Sequence, residues 1–278
     1  MKKTLQSSFT KFTVALSILL LTYLPTIRWM IDRWLEKESY YGHGFLIPLV
    51  SLFIIWQRKE ILKKIKPAED MMGLWVVIGC VIINTLCAAL KVYFISGFSL
   101  VAAIIGLVLF IYGKEMVKNL VFPLLFLLAM VPLPLVLIGN LTVQMKLFAT
   151  QVSVFILNRV GFPSIQDGSV IRMPGSYISI EAPCSGLRSL ISLLTLGLLF
   201  AYALKVSFIK KAVLFIASAP IAIATNVLRI LLIAIVNDLY GSKVAMGFFH
   251  DMTGYLVFAV AFGLLYGLSK ALEGRVNA

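Results

Sequence analysis

The residues able to do nucleophilic or acid–base chemistry stand at few positions in this chain. Cys184 lies in Pro183-Cys184-Ser185-Gly186-Leu187-Arg188, directly ahead of an apolar run. Proline is favoured at a helix start, and the free amides and dipole of that end stabilise an anion. A thiol placed there is drawn toward the reactive thiolate. Arg188 follows at i+4, which on a continuous helix puts it on the same face and adds positive charge. A small cysteine packed at a helix start is the alternative that the local sequence leaves open. Cys80 and Cys87 lie in an apolar run without polar company and read as core residues. Three cysteines, an odd number without framework spacing, give no disulfide pattern.

Arg229 lies in Thr225-Asn226-Val227-Leu228-Arg229-Ile230-Leu231, inside another apolar run and about 12 Å from its nearer end. A cation at that depth usually faces a polar cavity or a partner. Asn226 at i−3 shares its face. His43 and His250, the two histidines, each begin an apolar run. Either could be a surface anchor or an acid–base group. Asp251 adjoins His250, but consecutive residues point apart on a helix, which makes it a weak candidate to orient the ring. Cys, His and Arg together supply a nucleophile, a proton carrier and an oxyanion stabiliser, the set needed for acyl transfer through a thioester. Arg188, Asn226, His43 and Ser185 stand beside them as supporting candidates. Two histidines and three cysteines without ligand spacing predict neither a metal site nor a cofactor.

The elements that hold these residues must be membrane helices. Of 278 residues, 60% are hydrophobic and 13% charged, against about 45–50% and 25% in soluble domains. That excludes a soluble globular protein, a disordered chain and a disulfide-rich secreted domain. We expect an all-α integral membrane protein, a single polytopic domain over 1–278. Spans are expected near 12–31, 44–56, 73–92, 95–112, 119–138, 187–204, 212–236 and 250–268. Pro123, Pro132, Pro134 and Pro220 fall in or beside spans and should kink rather than break them.

Residues 140–160 carry apolar Leu141, Met145, Phe148, Val152 and Phe155, with Gln144, Gln151 and Asn158 as a polar stripe. Lys146 and Arg159 would each cost about 2.5–3.5 kcal/mol at the bilayer centre, so an interfacial amphipathic helix is expected there. Within 169–181, β-prone flanks around Pro174-Gly175-Ser176 predict a short β-hairpin before Cys184. No internal repeat is evident.

The net charge of +13 fits Lys and Arg held in cytoplasmic loops. With eight spans, both termini are cytoplasmic, and Cys184, His250 and His43 share the external face. The cluster Arg58, Lys59, Lys63, Lys64 and Lys66 anchors this orientation. No basic tract is interleaved with aromatics, so nucleic-acid binding has no support.

With these residues in place, the chain resembles the exosortase/archaeosortase family over most of its length. The strongest segment is Ala182-Pro183-Cys184-Ser185-Gly186-Leu187-Arg188, preceded by Asp167-Gly168 and Pro174-Gly175. Asn226-Val227-Leu228-Arg229-Ile230 is similar to the family's arginine motif. His250 fits a position held by His in exosortases and by Arg in archaeal relatives. His43-Gly44, with Pro48 and Trp56, is similar to the first conserved block.

The resemblance implies a membrane-embedded, sortase-like cysteine transpeptidase of the bacterial inner membrane with catalytic Cys184, Arg229 and His250. Its partners would be exported proteins with C-terminal sorting signals: a short motif such as Pro-Glu-Pro, one apolar span and a basic tail. The acceptor would be a membrane lipid or a cell-surface glycan. Two other readings remain at this point. A transporter or export component for surface polysaccharide would use Arg229 and the polar stripe without Cys184. A membrane acyltransferase would use Cys184 and His250 without cutting a peptide.

Overall fold

In the computed structural model, which describes residues 2–274, the chain divides into two compact units, one ending at Pro134 and one beginning at Leu135. The first unit opens with helices α1 (Lys2–Thr22) and α2 (Leu24–Leu35). The pair is bent by 71° at Tyr23. A bend frees carbonyls that must find partners away from water. Asn84 Nδ2 donates to Thr22 O at 3.1 Å, and the buried Tyr23 hydroxyl donates to Cys80 O at 2.8 Å. Thr26 and Ser96 hydroxyls lie 2.6 Å apart, and Ser96 also donates to Asn84 Oδ1. This network of small polar side chains satisfies the bend from within the unit.

Helices α3 (Leu46–Gln57), α4 (Lys59–Leu62), α5 (Met71–Ala89), α6 (Tyr93–Tyr112) and α7 (Lys114–Phe126) complete the first unit. At the α5–α6 crossing a Cβ on Gly73 would lie 2.5 Å from Gly106 O. Only glycine admits that approach, the usual device of membrane helices whose side chains gain nothing by leaving lipid.

The apolar run 119–138, expected as one span, is divided. After α7 comes a 3-10 turn at Leu127–Met130, then non-helical Val131–Pro134. Pro132 and Pro134 remove two amide donors and hold the preceding residues extended, so together they break the helix. Pro123 and Pro220 stay inside helices.

The second unit begins with α8 (Leu135–Arg159), which takes in most of the segment expected to lie in the interface. Its buried face is neither the apolar stripe nor the polar stripe. Leu141, Phe148 and Phe155 are exposed, while Thr142, Ala149, Thr150, Ser153 and Leu157 are buried. Small residues let helices approach, and large apolar ones are at no disadvantage facing lipid. Asn158 turns the chain after α8 by bonding Ser164 twice, through Nδ2 to O at 2.9 Å and through Oδ1 from N at 2.8 Å.

Strands β1 (Ile165–Asp167), β2 (Val170–Met173) and β3 (Ser176–Ser179) follow in an antiparallel sheet of order β1-β2-β3. The hairpin at Pro174-Gly175 is β2–β3; β1 is an addition to the expectation. It joins through a turn that needs the positive φ of 59° at Gly168. Three residues are too few for alternation to signal a strand.

A 3-10 turn at Ala182–Ser185 leads into α9 (Leu187–Ala203), then α10 (Phe208–Tyr240), α11 (Ser242–Ala245) and α12 (Phe248–Gly274). Ile171, Ile178 and Ile180 of the sheet segment share a core with Cys184 and with Val227, Ile230 and Ile233 of α10. Leu193 and Ala201 of α9 meet Leu214 and Ala222 of α10 and Ala261 and Leu265 of α12 in a second core.

The protein is thus an all-α membrane protein with one small sheet. Among the described residues five helices are long and apolar enough to span a bilayer, namely α5, α6, α8, α10 and α12, or six with the bent α1–α2 pair. The count differs from eight because α3, α7 and α9 have only 12, 13 and 17 residues, while α8, expected in the interface, is long and apolar enough to join the set. At 1.5 Å per residue α3 reaches about 18 Å, against a hydrocarbon core of about 30 Å.

Candidate active site

Cys184 sits in the 3-10 turn and donates its backbone N–H to Glu181 O at 3.1 Å. It stands directly ahead of α9, as expected. Gly186, at φ +82°, intervenes as the residue before that helix. The i+4 argument for Arg188 assumed a continuous helix, and Gly186 interrupts it. Arg188 lies in the first turn of α9, half-buried. Ser185 is fully buried, and its hydroxyl accepts the Leu187 amide at 3.3 Å, closing the turn. Its role in this geometry is local.

Residues from α10 and α12 meet the turn. His250 Nε2 lies 2.9 Å from Cys184 Sγ. Arg229 Nη2 lies 3.2 Å from the same Nε2 and donates to His250 O at 3.2 Å. Asn226, one turn from Arg229 on α10, donates Nδ2 to Cys184 O at 3.1 Å. Cys184 and Asn226 are buried, and the His250 side chain is 18% exposed. The four residues Cys184, Asn226, Arg229 and His250 are therefore brought together, although 66 residues separate the sulfur from the imidazole.

Two glycines make the arrangement sterically possible. A Cβ on Gly186 would lie 2.6 Å from Asn226 Cγ, and one on Gly254 would lie 3.3 Å from Arg229 Nη2. Gly254 is four residues after His250, so the face that presents the imidazole also leaves room for the guanidinium. Gly254 is one of four glycines in α12, so no sequence signal singled it out.

Asp251 is the residue that helix-face reasoning undervalued. Its Oδ1 lies 3.3 Å from His250 Nδ1. Nδ1 is the ring nitrogen nearer the backbone, so the next residue's short carboxylate reaches it despite pointing around the helix. Thr253 Oγ1 further donates to His250 O at 2.9 Å. An imidazole carrying its proton on Nδ1 donates to Asp251 and leaves Nε2 to accept the thiol proton. Asp251 is largely exposed, so it orients the ring more than it holds charge.

His43 belongs to the first unit, in the turn ahead of α3. It is half-buried, its ring stacks on Tyr41 at 6.1 Å, and burial pushes its pKa below the ordinary 6.5.

No curated protein and no solved structure matches the chain. The family model described as transmembrane exosortase matches residues 34–267, a stretch that contains His43, Cys184, Arg229 and His250. With most of its length covered, the chain belongs to the transmembrane exosortase family.

Proposed function

We propose that this protein is a cysteine transpeptidase that cuts the C-terminal sorting signal of exported proteins and passes the new C-terminus to a surface acceptor. Family membership supports sortase-like processing by a membrane enzyme in general. The observation that carries the specific reading is the 2.9 Å approach of Cys184 Sγ to His250 Nε2, with Arg229 Nη2 at 3.2 Å on the same nitrogen.

In this mechanism His250 Nε2 removes the Cys184 thiol proton, and the sulfur attacks the carbonyl carbon of the scissile peptide bond. The carbonyl oxygen gains the negative charge, which Arg229 stabilises. The C–N bond then breaks, His250 returns its proton to the departing amine, and a Cys184 thioester remains. An acceptor hydroxyl or amine loses its proton to His250 and attacks the thioester carbon. That forms the new ester or amide, and the proton goes back to the leaving sulfur. Asn226 fixes the Cys184 carbonyl and with it the direction of the thiol. Cys184 is 5% exposed, which shields the thioester from water and favours transfer over hydrolysis.

The acceptor is a membrane lipid or a cell-surface glycan. In the proposed topology the shorter helices α3, α7 and α9 also cross the bacterial inner membrane and α8 lies in the interface, which puts both termini in the cytoplasm and Cys184 outside, as the basic cluster at Arg58–Lys66 supports. A substrate tail with one apolar span then brings its motif to the same surface.

The test is co-expression of an exported protein ending in motif, apolar span and basic tail with the wild type or with Cys184→Ala. Intact mass of the substrate is the readout. Truncation only with the wild type is expected, and added mass identifies the acceptor class. Equal processing by Cys184→Ala overturns the mechanism, and an uncut substrate with both returns the polysaccharide-export reading to the front.

A further inference from the structure

The outer edge of β3 has no role in the reactive cluster, yet its backbone is directed into a groove that ends beside it. β3 closes the sheet order β1-β2-β3 and so has one unpaired side. Ile180 N donates to Ser169 O at 2.9 Å, and the register sets Ile178 against Ile171 and Ser179 against Val170. Narrow and wide pairs alternate in an antiparallel ladder. Residues 176, 178 and 180 therefore bond across to the β2 side, and Tyr177 and Ser179 turn their backbone groups outward.

Tyr177 O is met by Asn237 Nδ2 of α10 at 3.5 Å. Among the described residues the Tyr177 amide and the Ser179 amide and carbonyl have no backbone partner. Asn237 is 2% exposed, and its Oδ1 has no hydrogen-bond partner among the described residues. A buried acceptor without a partner costs stability unless something supplies a donor.

Between β3 and the end of α10 lies a cavity of about 470 Å³ lined by Tyr177, Ser179, Glu181, Asn237, Asp238 and Met246, among others. Both its walls lead to the reactive pair. Glu181 is three residues before Cys184 and accepts its amide, and Met246 is four residues before His250. An open sheet edge has no place in hydrocarbon, so this groove faces water or a protein-lined space.

We propose that the groove takes the substrate's sorting motif as an added extended strand beside β3, with Asn237 Oδ1 accepting one of its backbone amides. The inference rests on the transpeptidase reading and deepens it. Main-chain bonds to the Tyr177 amide and to the Ser179 amide and carbonyl set the register of the peptide, and the chain of β3 carries it on toward Cys184.

The test uses the full chain in proteoliposomes with a tripartite-tailed exported protein that the wild type processes. Ser179→Pro removes one outward amide and leaves the β2 bonds intact, since proline is tolerated on an edge whose amide faces away. KM should rise about five- to tenfold with kcat within about twofold, the effect of one backbone bond.

A second measurement does not depend on the variant's folding. Synthetic motif peptides, N-methylated at successive residues, compete for processing by the wild type. Inhibition should weaken at every second position. A wild-type KM for Ser179→Pro, or an N-methyl series without a two-residue period, overturns strand addition while leaving the peptidase intact. If the wild type cuts no tripartite-tailed protein at all, the transpeptidase reading falls and this inference with it.

Discussion

Gly186 and Asn226 should behave as one coupled unit. Alanine at 186 must adopt φ +82°, which costs about 1–2 kcal/mol for an L-residue in the left-handed region. Its Cβ would also lie 2.6 Å from Asn226 Cγ and 2.9 Å from Asn226 Cβ. The second contact is close to the α10 backbone, so rotation of the amide alone does not relieve it. Asn226 is 3% exposed and must shift, and its 3.1 Å bond to Cys184 O is lost. A buried carbonyl left without its donor costs about 1–3 kcal/mol. Gly186→Ala should therefore destabilise by about 2–5 kcal/mol, and Asn226→Ala by about 1–3 kcal/mol. In the double variant the contact with Cγ has gone, the one with the retained Cβ stays, and the bond can be lost only once. The two changes should then fall short of additivity by about 1–3 kcal/mol. Thermal unfolding of the four proteins purified in one detergent measures this, with the difference evaluated at the wild-type midpoint. Additivity within about 0.5 kcal/mol would refute the claim that the glycine exists to admit the amide.

Two further outcomes follow from the same geometry. Arg229→Lys keeps the charge but not the planar group whose Nη2 reaches both His250 Nε2 and His250 O at 3.2 Å. Processing should fall about 100-fold, as for loss of one oxyanion donor, and a rate within about threefold of wild type would reduce Arg229 to a simple charge. His43 concerns stability. Burial lowers its pKa from 6.5 in the folded chain, so below that pH the unfolded chain binds the extra proton and the folded one resists it. Stability is full above 6.5 and declines as pH falls from there through the folded value. His43→Gln should flatten that slope in unfolding midpoints taken across pH 7 to 5, and an unchanged slope would remove His43 as its source.

What the sequence disclosed depended on whether a residue's cost or its reach had to be judged. Arg229 in an apolar run is expensive wherever the chain folds, so its need for polar company could be read without coordinates. Asn226 was legible beside it because both lie within one uninterrupted helix, where i,i+3 spacing fixes a face. For Arg188 the same rule does not apply, since Gly186 at φ +82° ends the helical register between it and Cys184. The glycine was visible, but its sign of φ was not. Asp251 was undervalued because a helical wheel describes where side chains leave the axis and not how far a carboxylate bends back to Nδ1.

The apolar runs marked a membrane protein, yet their lengths misled. Pro132 alone or Pro134 alone could have bent a helix, whereas the two together end one. The packing face of α8 was not legible for a deeper reason. In an interfacial helix the apolar stripe marks the side that seeks lipid and not the side that meets other helices. In lipid Phe148 and Phe155 lose nothing by facing out, and Ala149 and Ser153 take the interior because they let another helix come close. In such a chain the reliable signals are the polar residues that lipid cannot accommodate. The residues forming the reactive cluster, Cys184, Asn226, Arg229 and His250, are of that kind. So is Asn237, whose unmatched Oδ1 beside the β3 edge then has the same claim to a partner that first singled out Arg229.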